Sequence, residues 1–351
     1  VVTPEGRLVA RLGDPGLATF TRSSAKPFQC LPLVLAGGEE RFALDAADLA
    51  LVCASHGGTP EHVERAASLL ARGGFGEDDL LCGAHPPLDR ASARRLREQR
   101  RRPTALHNNC SGKHAGMLLA CRLLDMPAAD YVSPEHPLQR RILAQLAELC
   151  ALPERAIGVG IDGCSVPTYH LPLASAARGY AALAHPEAAG AEPALAAAIR
   201  RVVEAMTGEP RMVAGPGRFT TRLMEATRGR VLGKEGAEGF YGLAVLGPVA
   251  LGIAVKIADG SERCRDGVVL EVLRQAGSLS REEAAELAEL REPPLTNWRG
   301  LRVGEVVAEL ELEEVPWETG DGGGSGSRAG ATSGGGAGSG GQDPGGSGGI
   351  D

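Results

Sequence analysis

Between residues 107 and 114 the chain reads HNNCSGKH, which puts His107, Cys110, Lys113 and His114 within eight positions. Side chains of these kinds bind metals, carry protons or attack carbonyl carbons. On a helix that begins near Ser111, Cys110 stands three residues from Lys113 and four from His114, so either pair can face one point. Cys164, in GIDGCSVPT, ends an apolar strand-like run where a glycine-flanked turn can present a thiolate. Spacing alone suggests a zinc site made from Cys110, His114 and Cys164, the usual ligand types. The competing reading makes both cysteines small buried residues and His114 a capping or hydrogen-bonding group.

A second set pairs serine with lysine. Ser23-x-x-Lys26 in TRSSAKPFQ brings both side chains onto one face of a helical turn. A serine hydroxyl is a weak nucleophile until a base takes its proton, and lysine serves as that base only when burial or a second cation keeps it neutral. The bland alternative is a serine-capped helix carrying a surface lysine. Ser55 in ASHGG follows an apolar run, and Lys234-x-Gly236 in LGKEG precedes a strand-like one. Ser-x-x-Lys, an isolated serine and Lys-x-Gly, in that order, is the arrangement of serine β-lactamases and penicillin-binding proteins. The middle motif departs from it, because Gly57 stands where an asparagine is usual.

The elements that must position these residues can be read from periodicity. VVTPEGRLVARLGDP reads as two strands about a Pro-Glu-Gly turn, and SSAKPFQCLPLVLAGG as a helix with a serine cap and Pro32 as a kink. In TPEHVERAASLLARGGF, Val63, Ala66, Leu69 and Leu70 share one face behind a Thr59 cap and Pro60. Further helices are expected at 88–99, 113–124, 136–150, 191–206, 217–227, 264–276 and 280–290. The run GFYGLAVLGPVALGIAVKIADG predicts two strands joined at Gly247-Pro248. Helices in the middle with strands at both ends imply an α+β fold. From residue 319 to 351 the composition becomes glycine- and serine-rich, which predicts a disordered tail outside the folded domain of 1–318.

The whole composition narrows the function classes. The net charge of -7 offers no broad positive field for a phosphate backbone, so nucleic acid is not an expected partner, and the basic run RASARRLREQRRRP reads as a solvated helix face. The chain carries no apolar run approaching the ~20 residues of a membrane span. Its eight cysteines lack the spacing of a disulfide scaffold, which points to reduced thiols and a cytoplasmic setting. The start at Val1, without methionine, reads as a chain that has lost preceding residues.

Taken as blocks, TRSSAKPFQCLPLVLAGG, ASHGGTPEHV, CGAHPP, HNNCSGKHAGML, GIDGCSVPTY, MVAGPGRFTT, KEGAEGFYG and GIAVKIADGSERCRD resemble the rhizobial-type (class 3) L-asparaginases, the asparaginase II family. The resemblance runs from Val1 to about residue 280. It implies a serine β-lactamase-like fold, hydrolysis of L-asparagine to L-aspartate and ammonia, and a homodimer. It also implies two serine–lysine tandems, Ser23 with Lys26 and Ser55 with Lys234. A zinc ion would be held by Cys110, Lys113 and Cys164, which displaces His114 from the ligand set that spacing suggests. His114 and Asp162 become groups that orient substrate and site, and Arg22 a candidate for the substrate carboxylate. On these assignments Lys26 takes the Ser23 proton, Ser23 attacks the side-chain amide, and water later releases aspartate, with Ser55 and Lys234 assisting proton transfer.

The sequence departs from the family pattern where Gly57 and Thr59 replace a serine and a glutamate beside Ser55, and where Thr220 replaces a common aspartate. Two rivals follow: another serine hydrolase of the same scaffold, against which the metal cluster argues, and a silent small-molecule-binding relative, against which Ser23, Lys26, Ser55 and Lys234 argue.

Overall fold

The continuous apolar runs FYGLAV and LGIAVK form antiparallel strands, Phe240–Val245 and Leu251–Lys256, in register from Phe240 opposite Lys256 to Val245 opposite Leu251. A third strand, Val231–Glu235, lies on the other side of Phe240–Val245 and sets Lys234 opposite Gly242. These strands belong to a computed structural model that describes residues 1–316. Within it, Val1–Val315 make up one unit. The expected tail at 319–351 lies outside the described residues.

The sheet divides the core by the pleat. Val231, Tyr241, Leu243, Val245, Ile253 and Val255 point to one side, against Val269, Leu270 and Leu273 of the helix Arg265–Gln275. Leu232, Phe240 and Ala244 point to the other, into a larger core built mainly from helices. On that second face the helix Leu173–Ala184 comes down onto backbone. A Cβ at Gly252 would stand 1.9 Å from the Ala177 carbonyl oxygen, and one at Gly242 would stand 2.0 Å from the Tyr180 ring.

The site-bearing helices pack equally closely. Ser111–Leu123 lies on Ala46–Val52, where a Cβ at Gly112 would meet the Leu51 carbonyl oxygen at 2.3 Å and one at Gly116 the Val52 side chain at 2.5 Å. These two glycines fix Cys110 and Lys113, at the start of one helix, near Ser55, just past the end of the other. Ala46–Val52 is itself anchored by a reciprocal cap, with Asp48 N donating to Asp45 Oδ1 at 2.8 Å and Asp45 N donating to Asp48 Oδ2 at 3.1 Å. A second three-stranded antiparallel sheet, ordered Ala18–Phe20, Pro167–Pro172, Gly158–Ile161, delivers Thr21 and Arg22 from one strand end and Asp162 from another.

The α+β expectation is met, and each expected helix is present within a few residues, among them Arg90–Glu98, Ser111–Leu123, Pro137–Leu149 and Pro193–Gly208. The stretch expected at 280–290 is two short helices, Arg281–Glu286 and Ala288–Arg291. One local expectation fails. No serine side chain caps the helix Lys26–Leu35; its N-cap is Ala25, and Arg22–Ala25 form a 3-10 turn leading into it. Thr59 does cap Pro60–Arg72, with His62 supplying the reciprocal acceptor through Nδ1. No helix among the described residues is long and apolar enough to cross a membrane.

Candidate active site

Ser55 is the point at which three separated segments meet. Its backbone N–H donates to the Val213 carbonyl at 2.9 Å, which fixes the residue beyond the helix Ala46–Val52. Lys26 Nζ donates to Ser55 Oγ at 3.0 Å and to the Ala54 carbonyl at 2.6 Å. From the opposite sheet, Lys234 Nζ donates to the same Oγ at 2.7 Å and to the Glu235 carbonyl at 2.9 Å. Both lysines are buried, Lys26 at 1% and Lys234 at 0% exposure. Water cannot disperse a charge on Lys234, so burial first, and the charge of Lys26 second, pull its pKa down to about 7. Near neutral pH this amine can therefore accept a proton, and Ser55 Oγ stands between it and Lys26.

Ser23 lies in the 3-10 turn one step before Lys26 and is half-buried. In such a turn residues i and i+3 eclipse, so the Ser23 and Lys26 side chains leave the same face. The Ser23 hydroxyl makes no hydrogen bond to the described residues, which leaves it open to a reacting group. Arg22 before it has φ of +51°, a left-handed backbone that disfavours side chains with a Cβ. Three contacts hold Arg22 there: its N–H donates to Thr168 Oγ1 at 3.1 Å, Nε to Asp162 Oδ1 at 2.6 Å, and Nη1 lies 2.7 Å from Glu238 Oε1. Burial works against the Asp162 carboxylate, but the hydrogen bond and charge of Arg22 keep its pKa below the ordinary value.

A sulfur cluster forms the third part. Lys113 Nζ donates to Cys164 Sγ at 2.9 Å, the Cys110 thiol donates to Asn109 Oδ1 at 3.3 Å, and the Cys164 thiol lies 3.9 Å from Asp162 Oδ2. The neighbouring Cys164 side chain, against burial and helped by the charges of Lys26 and Lys113, holds the Cys110 thiol well below its usual pKa; Cys164 is pushed up in return. Burial opposes the charge on Lys113, yet the neighbouring Cys164 and Cys110 push its pKa up. His114 Nδ1 lies 2.6 Å from the Tyr131 hydroxyl. Its Nε2 is buried beside Cys164 outside hydrogen-bonding geometry, and burial lowers the imidazole pKa to about 4.

The structure thus brings together Ser55, Lys26 and Lys234, brings Cys110, Lys113, His114 and Cys164 beside them, and ties Arg22 to Asp162 at the edge. Among the described residues, no group of three or more histidine, cysteine, aspartate or glutamate side chains is arranged to hold a metal ion, so Cys110, His114 and Cys164 are not assembled as spacing suggests. Two thiols and an amine do converge in Cys110, Cys164 and Lys113, donors of the nitrogen and sulfur kind that zinc accepts. His107, from the same opening stretch, accepts the Thr104 N–H through Nδ1 at 3.1 Å and closes a turn. Two participants were absent from the sequence reading: Tyr131, which fixes His114, and Glu238, which reaches Arg22. The only signal for Glu238 was its place between glycines in KEGAEG.

The family model for L-asparaginase II matches residues 1–308. None of the curated proteins matches the chain.

Proposed function

The chain belongs to the L-asparaginase II family, and from that premise we propose that it hydrolyses L-asparagine to L-aspartate and ammonia through Ser23, with Lys26, Ser55 and Lys234 moving the protons. Membership makes it an asparaginase-type amidohydrolase acting on a small molecule. The observation that carries the finer reading is the Lys26–Ser55–Lys234 chain, in which two buried amines share one hydroxyl. Ser23 is the nucleophile because its hydroxyl is half-exposed and uncommitted, whereas Ser55 is 3% exposed and held from both sides.

The Lys26–Ser55–Lys234 distances support a path for the protons, and the turn that sets Ser23 and Lys26 on one face supports its start. Once Lys26 has released its own proton along this chain, Ser23 Oγ attacks the side-chain amide carbon and its proton passes to the Lys26 amine. Lys26 can pass a proton through Ser55 Oγ to Lys234, whose amine is half neutral near pH 7. A proton returned along the same chain to the amide nitrogen lets the tetrahedral adduct collapse with loss of ammonia; water then attacks the resulting ester as Lys26 accepts its proton, and that proton returns to Ser23 Oγ as aspartate leaves. Arg22, Asp162 and His114 border this path and orient the substrate.

Cys110, Lys113 and Cys164 would hold a zinc ion. Bound there, zinc supplies a fixed positive charge and Lewis acidity next to the lysines. The donors match in kind and converge; the depressed Cys110 thiol provides a thiolate, while Lys113 and Cys164, both raised in pKa, would release their protons on binding the ion. The sheet that carries Lys234 beside the turn carrying Ser23 supports a β-lactamase-like scaffold. Eight free cysteines support a reducing, cytoplasmic setting. The homodimer rests on the family resemblance alone.

Ammonia release by the purified protein, measured with L-asparagine and L-glutamine in parallel, tests the reading. Release from L-asparagine supports it. Folded protein that releases ammonia from neither amide overturns it.

A further inference from the structure

The hairpin loop after Lys234 carries an acidic residue to the rim of the site. Gly236 opens this loop and its N–H donates to the Phe240 carbonyl at 2.9 Å. The loop is pressed against the turn that precedes Ser23, because a Cβ at Gly236 would stand 2.6 Å from the Thr21 carbonyl oxygen. Glu238 follows with φ of +61°, and its carbonyl accepts from Lys256 Nζ. Gly260 packs under its Cα, with ideal Cβ contact at 3.6 Å. Backbone seating, not side-chain attraction alone, therefore holds Glu238 in place.

Its carboxylate meets Arg22 at 2.7 Å, on the guanidinium whose Nε is bonded to Asp162. Two carboxylates around one guanidinium leave the corner with one net negative charge. Each carboxylate also has acceptor positions that a single N–H does not fill. The side chains are graded from inside to outside, with Asp162 at 12% exposure, Arg22 at 21% and Glu238 at 66%. The corner therefore opens to solvent beside Ser23 and two residues from Cys164.

We propose that Glu238, with Asp162, forms an anionic subsite for the α-ammonium of the amino-acid substrate, and that Arg22 acts as its scaffold. Arg22 is engaged by the two carboxylates and holds them a guanidinium's width apart. A primary ammonium has three donors and no acceptor, which matches a site of carboxylate oxygens. An exposed Arg–Glu pair of purely structural purpose would contribute little and would be indifferent to the ligand's charge pattern. The inference rests on the amino-acid amide reading of the site, but its test does not require turnover.

The probes are L-aspartate and succinate, which differ by the ammonium group alone. Their affinities for the full chain are measured by calorimetry, for the wild type and Glu238→Gln, with thermal melting to confirm that both are folded. Glu238→Gln keeps the shape and removes the charge. Loss of a charge-assisted contact predicts that aspartate binding weakens about tenfold while succinate binding changes less than about twofold. Glu238→Asp is expected to restore part of the aspartate affinity. Equal weakening of both ligands, no change in either, or a wild type that binds succinate as tightly as aspartate would overturn the subsite. A wild type that prefers aspartate in this Glu238-dependent way yet releases no ammonia from L-asparagine would refute the hydrolase reading and leave the subsite standing.

Discussion

Replacing Lys234 by methionine isolates the electrostatic cost of the site. The amine is fully buried, and its pKa falls from the ordinary 10.5 to about 7 on folding, through burial first and the charge of Lys26 second. Between those values the unfolded chain binds a proton that the folded chain has released, so the wild type gains stability as pH rises from about 7 towards 10. At about pH 6 both states carry the proton, and the cost of holding it inside is about 5 kcal/mol, at about 1.4 kcal/mol per unit. At about pH 9 only the unfolded state keeps it, and the cost falls to about 2 kcal/mol. Methionine has a similar reach and no charge, so its stability relative to wild type should decline by about 2–3 kcal/mol between about pH 6 and pH 9. Loss of the bonds to Ser55 and to the Glu235 carbonyl adds an offset that does not depend on pH. Urea unfolding of the two proteins, run side by side at both pH values, reads the difference. A stability gap that is the same at both, within about 0.5 kcal/mol, would refute a neutral buried Lys234.

Wild-type kcat should rise with pH through about 7 as Lys234 loses its proton; a flat profile from about pH 6 to 8 would separate Lys234 from the proton path. Ser55→Ala removes the hydroxyl between the lysines and should lower kcat about a hundredfold with little change in KM, measured by steady-state ammonia release. Cys164→Ser should cut the zinc retained after dialysis, whereas Cys150→Ser, at a buried thiol outside the site, should leave it unchanged by elemental analysis. Gly252→Ala drives a methyl group into the Ala177 carbonyl and should cost about 3 kcal/mol or more, against under about 0.5 kcal/mol for Gly163→Ala, where nothing lies within 4 Å.

Local pattern made much of this legible. FYGLAV and LGIAVK are legible as strands because they are short apolar runs joined at Gly247-Pro248, but FYGLAV is buried at every position, so register and the division of its residues between two cores come from packing on both faces. The serine–lysine pairs were legible as residue types in order, but the meeting of Lys26 and Lys234 on Ser55 depends on long-range packing. Gly112, Gly116, Gly242 and Gly252 set that packing by what they lack, and a missing Cβ leaves no periodic trace. The SSAK stretch reads as a capped helix because serine favours N-caps, whereas strand Ala18–Phe20 feeds directly into a 3-10 turn and leaves no room for the cap. Both Lys113 and His114 lie within reach of Cys110 on one helix, and spacing with the usual ligand types points to His114. Only the fold shows His114 held by Tyr131 and Lys113 aimed at Cys164. Glu238 escaped notice because its partner Arg22 is more than 200 residues away along the chain.

The central claim is that Ser23 attacks the side-chain amide of L-asparagine. Its most direct test is kcat/KM for ammonia release by Ser23→Ala beside the wild type, with folding verified by thermal melting. A loss of about a thousandfold or more is predicted for removal of an attacking hydroxyl. A loss of less than tenfold would contradict the account and move the nucleophile elsewhere.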